Sequence, residues 1–261
     1  MASEGFQFKQ FYIAHDRCAM KVGTDGVLLG CWAITPPYPS PQGRGIRILD
    51  VGTGSGLIAR MLMQRFPEAE VEGIDIDEAA VEQARGNGVN AHLSRLQDWR
   101  SHSVPSLERV KSSARSDARW SSVEQPREGF YSLVVSNPPY FQNSLKNPDK
   151  GRELARHTDT LSYEELLYHS ARLLSEHGRL AIILPAEAEQ DIRALAAQHS
   201  LYLTRVTRVY SKETKPARRV LLLFEKSEYR NTAPLEDRLV LEDDKGTRSA
   251  AYQEITKDFY L

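Results

Sequence analysis

Two short segments carry the residue types that chemistry needs. The first, Asn137-Pro138-Pro139-Tyr140, ends the apolar run from Phe130 to Ser136. Asn137 offers a side-chain amide oxygen and Pro138 a backbone carbonyl, and both accept from an N–H. An amine conjugated to a ring or a carbonyl is a poor nucleophile because its lone pair is delocalised. Accepting its hydrogens localises that pair. Pro138 and Pro139 stiffen the chain, so the acceptors are held ready, and preorganised acceptors are where electrostatic catalysis has its leverage. Tyr140 adds a ring face for a planar base or amide. These four residues are the candidate catalytic group, suited to chemistry on a planar nitrogen. Without a cofactor site nearby, they would read as a proline-rich turn that ends a strand.

The second segment, Asp50-Val51-Gly52-Thr53-Gly54-Ser55-Gly56, also follows an apolar run. Gly52, Gly54 and Gly56 let the backbone turn sharply and approach a ligand closely. Asp50 precedes the first of them by two residues and is suited to bonding a cationic amine. The pyrophosphate-binding fingerprint G-x-G-x-x-G places no acid there. The next predicted strand ends at Asp75, whose carboxylate can accept both hydroxyls of a ribose. Asp77 reads as the cap of the helix that follows. A nucleoside bearing an amine and an activated group fits this set, and S-adenosylmethionine is such a molecule. Its sulfonium is already activated, so in-line transfer needs alignment rather than a strong base. The glycine loop alone leaves a dehydrogenase, or a tight turn with no ligand, as alternatives.

These motifs need strands to hold them. Ile46 to Val51 and Val71 to Ile76 read as buried strands, with helices over Leu57 to Phe66 and Glu78 to Arg85. Gly86-Asn87-Gly88 stops the second helix. The third strand is Val89 to Leu96 or, alternatively, Arg109 to Ala114. Eight serines among residues 101–128 mark a flexible, exposed insert. A capping box at Ser162 and Glu165 opens a helix to about His177, closed by Gly178. Arg179 to Leu184 is a strand ended by Pro185, and Ala186 to His199 is helical. Leu201 to Tyr210 and Arg219 to Phe224 form a terminal hairpin. The alternation predicts an α/β fold with a mostly parallel sheet. Residues 1–45 form a leader without a period, ending in a stiff proline-rich linker, and residues 46–261 form the main domain.

Bulk properties set outer limits. With 261 residues, 41% hydrophobic, the chain is one large domain or one domain with appendages. Its net charge of -1 excludes a globally basic nucleic-acid binder, so any such binding must come from charge segregation. Cys18 and Cys31 form no metal-type cluster, and no metal is expected. The first residues have no secretory h-region, and no apolar run reaches the roughly 20 residues that span a bilayer. A cytoplasmic, monomeric protein is expected.

Taken together, the glycine loop and the tetrapeptide resemble those of class I S-adenosylmethionine-dependent methyltransferases acting on planar nitrogen. The leader narrows the resemblance. Phe8-Lys9-Gln10-Phe11 and the stretch from His15 to Gly30 are similar to the opening of the bacterial tRNA1(Val) adenine N6-methyltransferases. Arg156-His157-Thr158, Arg219-Val220-Leu221-Leu222 and the tail from Thr256 to Leu261 are similar too. The resemblance covers nearly the whole chain except about 86–128. It implies a Rossmann-like class I methyltransferase fold with a mostly parallel seven-stranded sheet and a terminal hairpin. It also implies methylation of the adenosine 3′ of the anticodon, at position 37, in a valine tRNA. Further, it implies that the segment from Lys21 to Gly30 lies against the cofactor. There Lys21 could reach the cofactor carboxylate, while Thr24 and Asp25 brace the site or simply cap a helix. Asp98, or less well Asp117, is the candidate for the cofactor's adenine amine.

A substrate face is also legible. Arg205, Arg208, Lys212, Lys215, Arg218 and Arg219 lie in a stretch whose only acid is Glu213. Such a stripe can neutralise phosphates, in a salt-dependent way. Arg156 and His157 are further candidates for RNA contact, and Tyr140 and Phe141 could stack on an extruded base. The tetrapeptide does not encode the acceptor. Protein glutamine, rRNA guanine N2 and DNA adenine stay open as substrates, as does an RNA-binding protein that retains the fold without catalysis.

Overall fold

The structure, a computed structural model, describes residues 4–18, 21–33, 45–99, 131–139, 161–227 and 233–260. The first part of the chain is more ordered than an aperiodic leader. Gly5–Gln7 (β1) and Tyr12–Ala14 (β2) pair antiparallel, and Thr24–Trp32 forms helix α1. Every residue of α1 from Gly26 to Trp32 is buried, so the helix shows no amphipathic period. It packs on α2 (Leu57–Arg65) through Gly26 and Gly30, one turn apart. A Cβ at Gly30 would stand 2.6 Å from the sulfur of Met61, so a side chain there would force the helices apart. The proline-rich linker lies outside the described residues.

Among the described residues the main sheet has eight strands. They are Arg47–Val51 (β3), Glu70–Asp75 (β4), Asn90–Leu93 (β5), Tyr131–Ser136 (β6), Leu174–Pro185 (β7), Leu201–Tyr210 (β8), Ala217–Lys226 (β9) and Leu235–Val240 (β10). Their spatial order is β10-β8-β9-β7-β6-β3-β4-β5. From β7 to β5 all neighbours are parallel, and β9 runs antiparallel to both β7 and β8. The strand beyond the expected seven is β10, which pairs parallel with β8 at the sheet edge. Leu239 is its one buried residue, so it offers no apolar run to read. The third strand, β5, falls inside the stretch from Val89 to Leu96, and the alternative at Arg109 to Ala114 lies outside the described residues.

Side chains alternate across β3 and fill two layers. Ile48 packs with Leu28 and Leu29 of α1 and Ile58 and Leu62 of α2. Leu49 and Val51 pack with Leu166 and Leu167 of α4 (Tyr163–Leu173) and Ile192 of α5 (Glu189–Ala197). Between α2 and these lies α3 (Glu78–Gly86), and Ala250–Thr256 (α6) follows β10.

Helix α4 opens on the expected capping box, with both reciprocal Ser162–Glu165 bonds present, but it ends at Leu173 rather than His177. Gly178 is not its stop. A Cβ at Gly178 would stand 2.8 Å from the carbonyl oxygens of Ser175 and Tyr131, where the β6–β7 register shifts. The glycine permits that backbone approach.

Candidate functional site

Register brings the two motifs together. Val51 pairs with Ser136 across β3 and β6, so Gly52 and Asn137 leave the sheet side by side. From β3 the chain crosses to β4 on one side, and from β6 to β7 on the other. Ligands of open α/β sheets bind at such a switch point, beyond the carboxyl ends of the strands. A cleft of about 930 Å³ opens there, walled by the glycine loop, Asp75, Asn137, Pro138 and Pro139.

The loop is built to face a ligand. Gly52, Gly54 and Gly56 have φ of 69°, 54° and 80°, the left-handed region that favours glycine. At Gly52 and Gly54 an added Cβ would meet nothing within 4 Å, so the space in front of the loop is open. Gly56 serves packing instead, since its Cβ would stand 2.7 Å from Val89.

Asp75 stands at the end of β4. Its carboxylate accepts the Gly54 N–H at 2.9 Å and the Asp77 N–H at 3.0 Å, one on each oxygen. Each oxygen retains acceptor capacity for a hydroxyl. Asp77 caps α3 through the Ala79 N–H at 3.0 Å.

Asp50 departs from the expectation that it bonds a ligand amine. It is fully buried and is not part of the cleft wall. On β3 it shares the face of Ile48, toward α2, so its Oδ2 accepts the Thr53 hydroxyl at 2.8 Å and the Ala59 N–H at 3.2 Å. Its role here is to tie the loop to the first turn of α2. Burial pushes its carboxyl up to about 7, against the opposing pull of the Thr53 and Ala59 bonds, and Asp75 adds to the rise. Its Oδ1 is buried with no hydrogen-bond partner.

Lys21 and Thr24 line the cleft with Gly23, Asp25 and Gly26. The helix-capping alternative fails, because Gly23 occupies the N-cap of α1 and no side chain caps it. Asp25 instead accepts from Arg219 Nε at 2.9 Å. Asn137 is half-buried, Pro138 buried and Pro139 exposed, while Tyr140 lies outside the described residues.

The structure does not place Asp98 in the cleft. It is exposed, in a 3-10 turn from Leu96 to Asp98, and the cleft wall is formed by Ser94, Arg95, Leu96 and Gln97. Asp117 lies outside the described residues. Sequence reasoning also missed Asn87, read only as a helix stop. Its amide bonds the carbonyls of Ala14 and Ser55, each at 2.8 Å, and so ties the amino-terminal hairpin to the glycine loop. Cys18 lines the cleft too, and burial raises its thiol pKa, favouring the neutral form.

Three of the six basic residues of the stripe pair with acids from elsewhere in the chain. Arg205 pairs with Asp237 at 2.7 Å and lies over the Trp32 ring. Arg208 pairs with Glu189 at 2.5 Å and Glu236 at 3.1 Å, and Arg219 with Asp25. Among the described residues, Lys212, Lys215 and Arg218 form no ion pair with an acid. They stand at the β8–β9 turn, on the same edge of the sheet as Asn137. Arg156 and His157 lie outside the described residues. No group of three or more His, Cys, Asp or Glu side chains suited to a metal occurs among the described residues, and none of their helices is long and apolar enough to cross a membrane.

Residues 39–202 match the family described as methyltransferase small domain. The chain is 43% identical, over 263 residues, to a Parabacteroides distasonis protein named tRNA1(Val) (adenine(37)-N6)-methyltransferase. That match covers 100% of this chain and 99% of the relative. A Bacteroides thetaiotaomicron protein of the same name is 38% identical over 262 residues, with the same coverage. A solved structure from Agrobacterium tumefaciens, titled a predicted O-methyltransferase, has a TM-score of 0.59 and 15% identity. It covers 90% of this chain and 96% of that one, a likeness of fold.

Proposed function

Since the chain belongs to the tRNA1(Val) (adenine(37)-N6)-methyltransferase family, we propose that it methylates N6 of the adenosine 3′ of the anticodon in a valine tRNA. The methyl donor is S-adenosylmethionine. One observation carries the reading. The β3–β6 register sets the acceptors of Asn137 and Pro138 beside an open glycine loop and a carboxylate placed for a ribose.

The residues present fit the donor. Gly52 and Gly54 leave room where any Cβ would intrude, and Asp75 is placed for the ribose. Bound there, the donor supplies a methyl group on an activated sulfonium. The Asn137 side-chain oxygen and the Pro138 carbonyl accept the two N6 hydrogens and localise the nitrogen lone pair toward the methyl. The prolines hold those acceptors in place, so alignment takes the place of a strong base. Lys21, which also lines the cleft, is the candidate partner of the donor's carboxylate. Lys212, Lys215 and Arg218 contact tRNA phosphates. The protein acts in the cytoplasm.

The test is methyl transfer from labelled S-adenosylmethionine to unmodified total tRNA, read by nucleoside mass spectrometry. N6-methyladenosine that disappears with Asn137→Ala supports the reading. Label on rRNA, DNA or protein glutamine, with none on tRNA, retires the substrate.

A further inference from the structure

A row of polar side chains crosses four adjacent strands inside an otherwise apolar layer. Arg47 on β3 donates to Glu72 on β4 at 3.0 Å. Tyr131 on β6 donates its hydroxyl to the same Glu72 oxygen at 2.8 Å. That hydroxyl in turn accepts from the indole N–H of Trp99 at 2.9 Å. The ring of His92, on β5, lies 5.0 Å from the Trp99 ring. Arg47, Glu72, Trp99 and Tyr131 are all buried. A buried ion pair is weak evidence for stability, because desolvation offsets much of its attraction, whereas consecutive hydrogen bonds orient the side chains that make them.

Trp99 shows what is being oriented. It follows directly on the Leu96–Asp98 turn, and its backbone N–H bonds the Leu96 carbonyl at 3.3 Å. The residues just before it, Ser94 to Gln97, form one wall of the cleft. That wall abuts the ribose carboxylate residue, since the Ser94 N–H bonds the Asp75 carbonyl at 2.9 Å. Sheet order then places the donor. The strands run β6, β3, β4, β5, and their carboxyl ends carry Asn137, the glycine loop, Asp75 and the wall. With the transferred methyl at Asn137 and the ribose at Asp75, the purine lies beyond Asp75, against the wall.

We propose that the Arg47–Glu72–Tyr131–Trp99 chain of hydrogen bonds is a positioning device that sets the Ser94–Gln97 wall and, through it, purine recognition. This rests on the cleft's being the S-adenosylmethionine site. Tyr131 and Trp99 are positioning residues and touch neither donor nor substrate.

The test uses the full chain, the product S-adenosylhomocysteine and its deaminated analogue S-inosylhomocysteine, which differ only at the purine 6-position and the adjoining N1. Binding is measured by calorimetry for the parent, Tyr131→Phe and Trp99→Phe. Each variant keeps an aromatic ring; Tyr131→Phe removes the hydroxyl that donates to Glu72 and accepts from Trp99, and Trp99→Phe removes the indole donor alone, so a failure of either to fold leaves the other to report. The parent is expected to prefer the adenine compound at least about tenfold, and the variants to lose most of that preference. Their KM for S-adenosylmethionine should rise about tenfold while kcat falls less than about threefold. Variants that keep the parent's preference, or that weaken both analogues equally, overturn the proposal. So does a parent with no preference. A parent that binds neither analogue refutes the underlying cofactor assignment instead.

Discussion

The hydroxyl of Ser136 donates to the backbone carbonyl of Val51 across 2.9 Å. The bond joins the last residue of β6 to the last residue of β3, each one step before a segment that lines the cleft. It fixes the tetrapeptide relative to the glycine loop at the point where both leave the sheet. In Ser136→Ala the strands still pair, but this lateral tie is gone. Small misplacement of reacting groups costs rate more than affinity. We expect kcat to fall about tenfold with the Kd for S-adenosylmethionine within about threefold of the parent. Single-turnover kinetics beside calorimetry check it, and an unchanged kcat would assign the bond to folding alone.

Asn137 and Asp75 should separate cleanly. Asn137→Ala removes an acceptor for the amine, so transfer should drop by about 10² or more while cofactor affinity is largely kept. Asp75→Ala should instead weaken the cofactor about 10- to 100-fold, through the ribose and through the lost tie to Gly54. Binding and transfer measured on both variants decide the assignment. Loss of cofactor binding in Asn137→Ala, or unchanged affinity in Asp75→Ala, would overturn it.

Asp50 gives a pH signature. Its folded carboxyl titrates at about 7, above an unfolded value near 3.9, chiefly because it is buried. Between those values the folded state holds a proton that the unfolded chain releases. Stability from this group is therefore complete below about pH 4 and is lost as pH rises to about 7. Asp50→Asn removes the titration. Relative to the parent, the variant's Tm should rise between pH 4.5 and pH 8, whatever the offset at either pH. Thermal melts across that range check the sign, and a pH-independent difference would show that Asp50 titrates alike in both states.

The candidate cleft was legible where it sits at strand ends, because Gly52 to Gly56, Asp75 and Asn137 follow apolar runs that announce a strand, and all three segments line it. Three things were not legible, each for a physical reason. Helix α1 is apolar on every side and carries no period. Strand β10 is an edge with one buried residue. The choice of Asp98 turned on the phase of a 3-10 turn, which residue type does not reveal, and the wall includes its neighbour Gln97 instead. Asp50 was read as bonding a ligand amine, but the alternation of β3 directs it to α2, where it bonds Thr53 and Ala59. The ion pairs of the basic stripe were hidden for a related reason, because the partners of Arg205, Arg208 and Arg219 are Asp237, Glu189, Glu236 and Asp25, distant in the chain.

That pairing predicts two classes of arginine and lysine. Lys212, Lys215 and Arg218 at the β8–β9 turn can release counterions from a bound RNA, at roughly 0.7 to 0.9 per phosphate contacted. A variant with all three changed to Ala should bind tRNA more weakly and reduce the slope of log K against log salt by about 2 to 3. Its Tm should stay close to the parent's, because these side chains pair with no acid among the described residues. Arg208→Ala should do the reverse. It strands Glu189, which is buried, so the Tm should fall by a few degrees while the salt slope is unchanged. Filter binding across a salt series, with melts of the same preparations, separates the two. A salt slope that responds to Arg208→Ala and ignores the turn residues would move the RNA face off the β8–β9 turn and onto the β8–β10 edge.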